Sequence, residues 1–506
     1  MWATSRIFPQ RLHDMDTPAI ARTQPGLRRE YFVILSAVSM ILATAGSWIL
    51  GPLIPGALLG ICVFVLLTWA AFLRPDLVFL GAFALSIVLP VEVGFKWDPL
   101  PRIGPSIVVF AALILGASAN LLVSRGSDSV NALLAGIPMK RLWVFIIALN
   151  LVSTVASIDR LASFYAMGKQ TMMILILAAL MNLFARDPAF WPRLRTVLFF
   201  ATALTCIYAL FEEVARQNML LAFYPTEVMD FRSGILRVRS TFFHPIAFGT
   251  YLAMVYPFIL VDVLQRKRPA VVVVLLLTLL ASFLTVSRGP WLALLIETAV
   301  IASMFFKREL RLAAAALFTL LALLCLANKN IGVPESIERS SLLNPSQQSL
   351  EHLDESSSEF YRIAVMTAAV DRMAGMRWLY GFGPGTFYLA DVSSRYSGED
   401  HVLTSGDSQY ALTLVELGAA GLCILVLVIA NAVRIGLRAV LCTKGFQRLL
   451  AAACLASILG LAINCITASM FLLVPLDLIF WSVVVLASNL RGEETRGGTH
   501  AAIAHY

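Results

Sequence analysis

Residues 270–306 read AVVVVLLLTLLASFLTVSRGPWLALLIETAVIASMFF. Two apolar runs, 270–286 and 290–306, are parted by little more than Ser287, Arg288 and Gly289. Each run is close to the roughly 18–25 residues with which a helix crosses a hydrocarbon core. The stretch therefore reads as two membrane spans joined by a tight turn, with an arginine in the turn.

The rest of the chain follows the same pattern. Of 506 residues, 59% are apolar and only 14% charged, and the mean hydropathy is +0.81. Soluble domains carry about 25% charged residues, so a soluble enzyme, a disordered chain and a nucleic-acid-binding domain are all disfavoured. Further apolar runs lie at 31–50, 54–73, 76–91, 105–123, 142–157, 166–184, 195–212, 246–264, 312–327, 409–433, 449–469 and 473–490. The sequence predicts an all-α polytopic membrane protein with about 14 (12–14) transmembrane helices. The expected divisions are a cytoplasmic tail over 1–30, spans one to eleven over 31–327, an extracytoplasmic loop over 328–408, three spans over 409–490 and a cytoplasmic tail over 491–506.

The formal charge of +8 mainly records orientation. With the N-terminus placed in the cytoplasm, the cytoplasmic segments hold 24 of the 39 Lys and Arg residues. Among them are Arg186, Arg193, Arg195, Arg266, Lys267, Arg268, Arg434 and Arg438. The outer segments hold 15, six of them in the long loop, where the positive-inside rule loses force. Both termini are then expected in the cytoplasm. Met1 to Arg29 has no apolar core before a cleavage site, so no cleavable signal is expected. The seven cysteines are scattered without a Cys-x-x-Cys, which argues against a disulfide framework or a thiolate metal site. No internal repeat is evident, so the matched broken helices of a transporter are not found.

The long hydrophilic stretch, Asn328 to about Ser408, is of the size that is usually functional. Within it, 356–376 carries Phe360, Ile363, Ala364, Thr367, Val370 and Met373 as an apolar stripe. This predicts an amphipathic helix lying at the outer membrane surface. Gly375 and Gly381 to Gly385 end it and turn the chain.

The candidate functional residues are those that run against the charge trend. Arg232, Arg237, Arg239, Arg288, Arg362, Arg372, Arg377 and Arg395 all fall on the outer side. Arg288 stands out, because an arginine near membrane depth costs at least about 2.5–3.5 kcal/mol on insertion scales and usually faces a protein interior. Gly289 and Pro290 break the helix beside it, leaving backbone N–H groups for an anion. The plainer reading is a snorkelling arginine in a turn. In Arg237-Val-Arg239-Ser-Thr-Phe-Phe-His244-Pro245, Pro245 suits a first helical turn. Arg239 is placed to fork onto phosphate oxygens. His244 is a substrate contact or a cap.

Asp407 is either a general base at a poorly hydrated interface or, with Ser408, an ordinary helix cap. Gly418 and Gly421 allow close packing, and Glu416 needs a partner or a wet cavity. Lys169 is an anion ligand or a common interfacial lysine, and Glu212 and Glu213 mark the interface. His352 and His401 are lone loop histidines. No metal-ligand spacing and no phosphate loop occur, so no metal, nucleotide or other cofactor is expected.

At these residues the chain resembles the O-antigen ligase/polymerase superfamily of bacterial membrane glycosyltransferases. Arg239-Ser-Thr-Phe-Phe-His244-Pro245 resembles the family's Arg…Gly-x-Phe-x-His-Pro helix start. Ser287-Arg288-Gly289 resembles its Ser-Arg-Gly turn. Gly381-Phe-Gly383-x-Gly385, then Asp407-Ser-x-Tyr410 to Gly418-x-x-Gly421, resemble its closing signature. The likeness runs from about 235 to 430 in the right order. One departure is informative: the ligases have His-Asn where this chain has Asp407-Ser408. That favours relatives resembling exopolysaccharide or O-antigen repeat-unit polymerases over lipid A-core ligases.

The resemblance implies transfer of a glycan from undecaprenyl pyrophosphate to a sugar hydroxyl, outside the bacterial inner membrane and without a metal. It implies Asp407 and Arg288 as catalytic residues. Arg239, Arg288, Arg362 and Lys169 are then pyrophosphate ligands, and His244 and Tyr410 substrate contacts. The expected partners are the lipid-linked oligosaccharide, a glycan acceptor, the bilayer and other polysaccharide export or chain-length proteins, with no nucleic acid. Competing readings are an O-antigen ligase, a lipid-linked oligosaccharide flippase and a non-enzymatic assembly subunit.

Overall fold

The computed structural model describes residues 53–89, 95–97, 100–103, 107–120, 137–187, 189–220, 231–232, 235–305, 358–396, 399–402, 408–471 and 474–495. The apolar runs 31–50 and 312–327, the tail 1–30 and Asp407 lie outside these residues. Every other apolar run falls on a helix. In chain order these are α1 (Leu53–Leu73), α2 (Pro75–Val88), α3 (Ile107–Asn120), α4 (Lys140–Val155), α5 (Arg160–Arg186), α6 (Phe190–Ala215), α7 (Pro245–Arg266), α8 (Pro269–Leu284) and α9 (Arg288–Phe305). The long loop contributes α10 (Ser358–Arg372) and the single turn α11 (Arg377–Tyr380). The chain then forms α12 (Gln409–Cys442), α13 (Gly445–Thr467) and α14 (Leu476–Thr495).

Among the described residues, five stretches are long and apolar enough to cross a membrane: Arg160–Met181, Phe190–Ala215, Pro245–Arg266, Gln409–Cys442 and Gly445–Thr467. Three short antiparallel hairpins depart from the all-α expectation: β1 (Phe95–Trp97) with β2 (Leu100–Ile103), β3 (Phe231–Arg232) with β4 (Ile235–Leu236), and β5 (Ser393–Tyr396) with β6 (Glu399–Val402). Each lies in a connection between helices, where close strand pairing satisfies backbone groups over too few residues to show an alternating pattern.

The helix ends are set by local chemistry. Asp159 caps α5, its Oδ1 accepting the N–H groups of Leu161 at 2.9 Å and Ala162 at 3.0 Å. Proline stands in the first turn of α7 and α8, where its missing N–H costs nothing. Lys267, in left-handed conformation, ends α7.

The chain divides into two units, residues 1–78 with 111–132, and residues 79–110 with 133–506. In the first, Asn120 donates from Nδ2 to the Phe72 carbonyl at 2.7 Å, and Gly116 sits directly against the backbone of α1. In the second, α13 is the central element and packs on α7, α9, α12 and α14. It is buried along most of its length, and Ser457 donates to the Met254 carbonyl on α7 at 2.8 Å. Gly460 leaves the room that the fully buried Glu297 side chain of α9 occupies. Helix α8 packs against α6 and α7, while α4 meets α5 and α12 and α14 meets α5 and α12.

Helix α10 corrects the surface-helix expectation. Over 365–372, Val365, Ala368 and Ala369 are buried, with Met373 just past the helix end buried too, whereas Thr367 and Val370 are exposed. They share one core with Phe382, Phe387 and Val392 of the loop and with Ala411, Leu414 and Val415 of α12. The two small alanines let α10 approach α12 closely, so the helix is part of the protein core rather than an adsorbed surface element.

Candidate functional site at one end of the helices

The turn between α8 and α9 is tied down on several sides. Val286 adopts φ 48°, a left-handed conformation that costs a β-branched residue roughly 1–3 kcal/mol and must be held by its surroundings. Ser287 Oγ donates to the Thr285 carbonyl at 3.0 Å, and Trp291 Nε1 donates to the Ser282 carbonyl at 2.9 Å across the turn. Arg237 adds the long-range ties. Its Nε donates to the Thr285 carbonyl at 3.2 Å and an Nη donates to Ser287 Oγ at 3.0 Å. Next to it, the Val238 N–H donates to the Leu284 carbonyl at 3.2 Å. The segment 237–239 thus lies along the turn, and Arg288 follows as the first residue of α9, exposed to its surroundings.

The same segment is anchored from its other side by Glu212. This residue is 1% exposed, near the end of α6. Its Oε2 accepts the N–H groups of Ser240 at 2.8 Å and Arg239 at 3.2 Å. Ser240 has φ 54°, and its hydroxyl donates to the Thr205 carbonyl at 2.7 Å. Arg239 is 4% exposed and donates from Nη to the Phe243 carbonyl at 3.0 Å. His244 caps α7, with Nδ1 accepting the Ile246 N–H at 3.1 Å.

The start of α12 reaches the same end. Ser408 is the cap, its Oγ accepting the Tyr410 N–H at 3.3 Å and lying 3.4 Å from the Cys465 carbonyl. Tyr410 donates from its hydroxyl to the Ala462 carbonyl at 3.3 Å. Gly289, the second residue of α9, approaches Thr467 and Asn464. One stretch of α13, residues 462–467, therefore meets both the Ser-Arg-Gly turn and the first turn of α12.

The glycine-rich loop after α11 is joined to a break in α12. Gly418 has φ 69° and interrupts the helix, and a side chain there would strike the Leu379 backbone. The carbonyls just before the break accept from the loop: Phe382 N–H to Val415 at 2.9 Å and Gly383 N–H to Glu416 at 3.0 Å. The Glu416 carboxylate accepts the Phe387 N–H at 3.4 Å. Helix α4 supplies the other side. Ser153 Oγ lies 2.7 Å from the Tyr380 carbonyl, and Arg377 donates to the carbonyls of Ala156 at 2.9 Å and Gly381 at 3.0 Å. Arg377 and Arg372 both stack on Phe382, and Arg372 donates to the Ala390 carbonyl at 2.6 Å. These two outer arginines hold the loop's own structure.

Residues 272–426 match the family model described as O-antigen ligase. The match supports the O-antigen ligase/polymerase superfamily for this chain. No curated protein matches it. The O-antigen ligase-family region opens in α8, contains the Ser-Arg-Gly turn and the glycine-rich loop, and ends in α12 beyond the Gly418 break. Arg237 precedes it in sequence but is bonded to its turn, while Arg239 and His244 follow on the same segment, bonded to Phe243 and Ile246. Its long apolar helices fit a multi-pass membrane protein, and residues 272–426 are similar to the O-antigen ligase family.

Against the sequence expectations, Arg239, Arg288, His244 and Tyr410 gather at one end of α7, α9, α12 and α13. Asp407 lies outside the described residues, and so does the Arg362 side chain, although its backbone is in α10. Lys169 lies elsewhere, on a cleft whose lining includes none of Arg239, His244, Arg288 and Tyr410. The interface marker Glu212 proves to be a buried anchor, while Glu213 pairs with Arg216 at 3.0 Å near the surface. The one sequence signal for Glu212 is a carboxylate inside an apolar run, which needs a partner. Arg237 was visible among the outer arginines, but its bonds to a turn some fifty residues away are not a local pattern.

Proposed function

We propose that the protein is a polysaccharide polymerase-like glycosyltransferase acting on the outer side of the bacterial inner membrane. The expected arrangement keeps both termini in the cytoplasm, about 14 spans and the 328–408 loop outside. In the reaction, an acceptor sugar hydroxyl attacks the anomeric carbon of a glycan on undecaprenyl pyrophosphate. The new glycosidic bond forms as the bond to the pyrophosphate oxygen breaks. The electron pair leaves with the pyrophosphate, and the hydroxyl proton passes to the Asp407 carboxylate. The leaving group is already anionic, so it needs cationic stabilisation more than a proton donor. Arg288 and Arg239 fill that role, with Arg362 as a loop contribution, and His244 and Tyr410 border the substrate.

The observation that carries this reading is the convergence on α13. The Ser-Arg-Gly turn and the first turn of α12 rest on residues 462–467, and Arg237 binds the Arg239 segment to that same turn. Landmarks far apart in sequence are thereby joined at one end of a membrane helix bundle, and the family match covers two of them.

The test uses the purified full chain in lipid nanodiscs with a lipid-linked oligosaccharide. Longer lipid-linked products are expected. Transfer to a different acceptor makes the protein a ligase, and substrate movement without a new glycosidic bond makes it a flippase. Asp407→Ala and Arg288→Ala are expected to abolish elongation while leaving insertion intact. Full elongation by both variants overturns the catalytic assignment.

A further inference from the structure

A slender cavity of about 260 Å³ runs along α12 on the face turned to α4, α5 and α14. Its lining begins at Gln409 and reaches Val428. At about 1.5 Å per residue this is roughly 28 Å of helix summed over the two sides of the Gly418 break, a path on the scale of a hydrocarbon core. Toward Val428 the wall is apolar, with Trp143, Ile424, Leu425 and Trp481. Trp143 and Trp481 stand with ring centroids 4.6 Å apart and close that part of the cleft.

The other end is polar, and its groups divide into two kinds. Gln409 and Glu416 are committed to the protein. The Gln409 amide accepts the Phe471 N–H at 2.9 Å and donates to Thr413 Oγ1 at 3.2 Å, and Glu416 takes loop N–H groups. Lys169, Gln170 and Asp477 are placed to meet a ligand. Among the described residues Lys169 makes no hydrogen bond or ion pair within 4 Å, although its charge acts on Asp477. Asp477 is 6% exposed and uses Oδ1 for the Leu478 N–H at 2.6 Å.

The charge of this cup decides its ligand. The one ammonium, Lys169, acts on the buried carboxyl of Asp477, so a pyrophosphate would find the cup's only cation already answered from within the protein. Sugar hydroxyls suit the same groups, because carboxylates accept from them, an ammonium donates to them and an amide does both. We propose that the cleft binds an amphiphile with a neutral glycosyl head group. The head lies at Lys169, Gln170 and Asp477, and a single hydrocarbon chain lies along α12 toward Val428. Lys169 then belongs to a second binding site, on a different face of α12 from Tyr410, and not to the pyrophosphate site.

The test is photolabelling of the full chain in nanodiscs. The probes are dodecyl glucoside and dodecyl phosphate, each with a diazirine at mid-chain. The glucoside is expected to label 417–428 of α12 and the neighbourhood of Trp481 at least about fivefold more than the phosphate. Ile424→Trp, which fills the chain path, and Asp477→Ala, which removes a head-group acceptor, are each expected to cut labelling by about fivefold or more. Lys169→Gln, one atom shorter and still polar at a half-buried position, removes the charge with little demand on folding and is expected to weaken labelling too. Stronger labelling by the phosphate, or wild-type labelling in all three variants, overturns the proposal. Arg288→Ala is expected to keep this labelling, so loss of transfer and loss of cleft binding are read separately.

Discussion

Arginines stand at both ends of α7, and the two ends hold them differently. At the end where α7 finishes, Asp262 takes Arg195 of α6 at 2.8 Å and Arg266 at 3.4 Å, so a carboxylate offsets the guanidinium charges directly. Where α7 begins, the contacts of Arg237 and Arg239 include the carbonyls of Thr285 and Phe243 and the Ser287 hydroxyl. The carboxylate nearby, Glu212, spends its Oε2 on the backbone N–H groups of Arg239 and Ser240. A carbonyl orients a guanidinium without cancelling its charge. The first end therefore reads as orientation and stability; at the second, Arg237 and the buried Arg239 brace a turn on which the exposed Arg288 is the cation proposed to meet the anion.

The strongest way to break that contrast is Arg288→Ala. If developing pyrophosphate charge is stabilised there, elongation falls by about 100-fold or more. Helical content and melting temperature stay near those of the parent, since Arg288 is exposed. Arg288→Lys keeps the charge and loses the fork, and recovers part of the activity. Elongation of Arg288→Ala at the parent rate would place the turn among the structural arginines.

Glu212 comes next. Glu212→Ala leaves two buried N–H groups without an acceptor, a cost of roughly 2–4 kcal/mol. It should lower the melting temperature and reduce elongation by about tenfold through displacement of Arg239. Glu212→Gln keeps one acceptor oxygen and retains most of both. A neutral Glu212→Ala would show that the Arg239 segment is held by Arg237 and the Thr205 carbonyl alone.

Gly418→Ala tests the break in α12. An alanine at φ 69° costs about 1–2 kcal/mol. Its side chain would also meet the Leu379 backbone. The expected result is a lower melting temperature and elongation reduced several-fold, because the loop over Gly381–Gly385 shifts. Gly421→Ala, at ordinary φ, would set its side chain against Leu417 Cβ across the same break and is expected to lower the melting temperature as well.

These positions also mark how far the sequence could be read. Apolar length is a local property, so the runs that became α4 to α9 and α12 to α14 were visible one by one, and Arg288 was conspicuous between two of them. The helix ends were less visible. Helix α5 starts at Arg160 and α12 continues to Cys442, because polar residues extend a helix as readily as they close it. Gly418 read as a packing residue, since a single glycine in an apolar run carries no sign of φ. The face of α10 was misread because Ala368 and Ala369 weigh little in a hydrophobic pattern, although small size is what lets them touch α12. The pairings that build the site were not legible at all. Glu212 meets Ser240 across 28 residues, and Ser153 meets Tyr380 and Lys169 faces Asp477 across more than two hundred.

The smallest effect on transfer belongs to the opposite end, with Asp262→Asn. The substitution leaves Arg195 and Arg266 close together without their shared carboxylate. Asp262 is 4% exposed and the two arginines are partly shielded, so the loss lies between a surface and a buried ion pair, about 1–3 kcal/mol. Thermal unfolding in nanodiscs should show that decrease. Elongation below the melting range should stay within about twofold of the parent, since a 0.4 kcal/mol change in barrier is all that twofold represents. If Asp262→Asn instead lost transfer as steeply as Arg288→Ala at equal folded fraction, the two ends would be coupled through α7. The arginines where α7 begins would then owe their effect to helix position and not to their own charge.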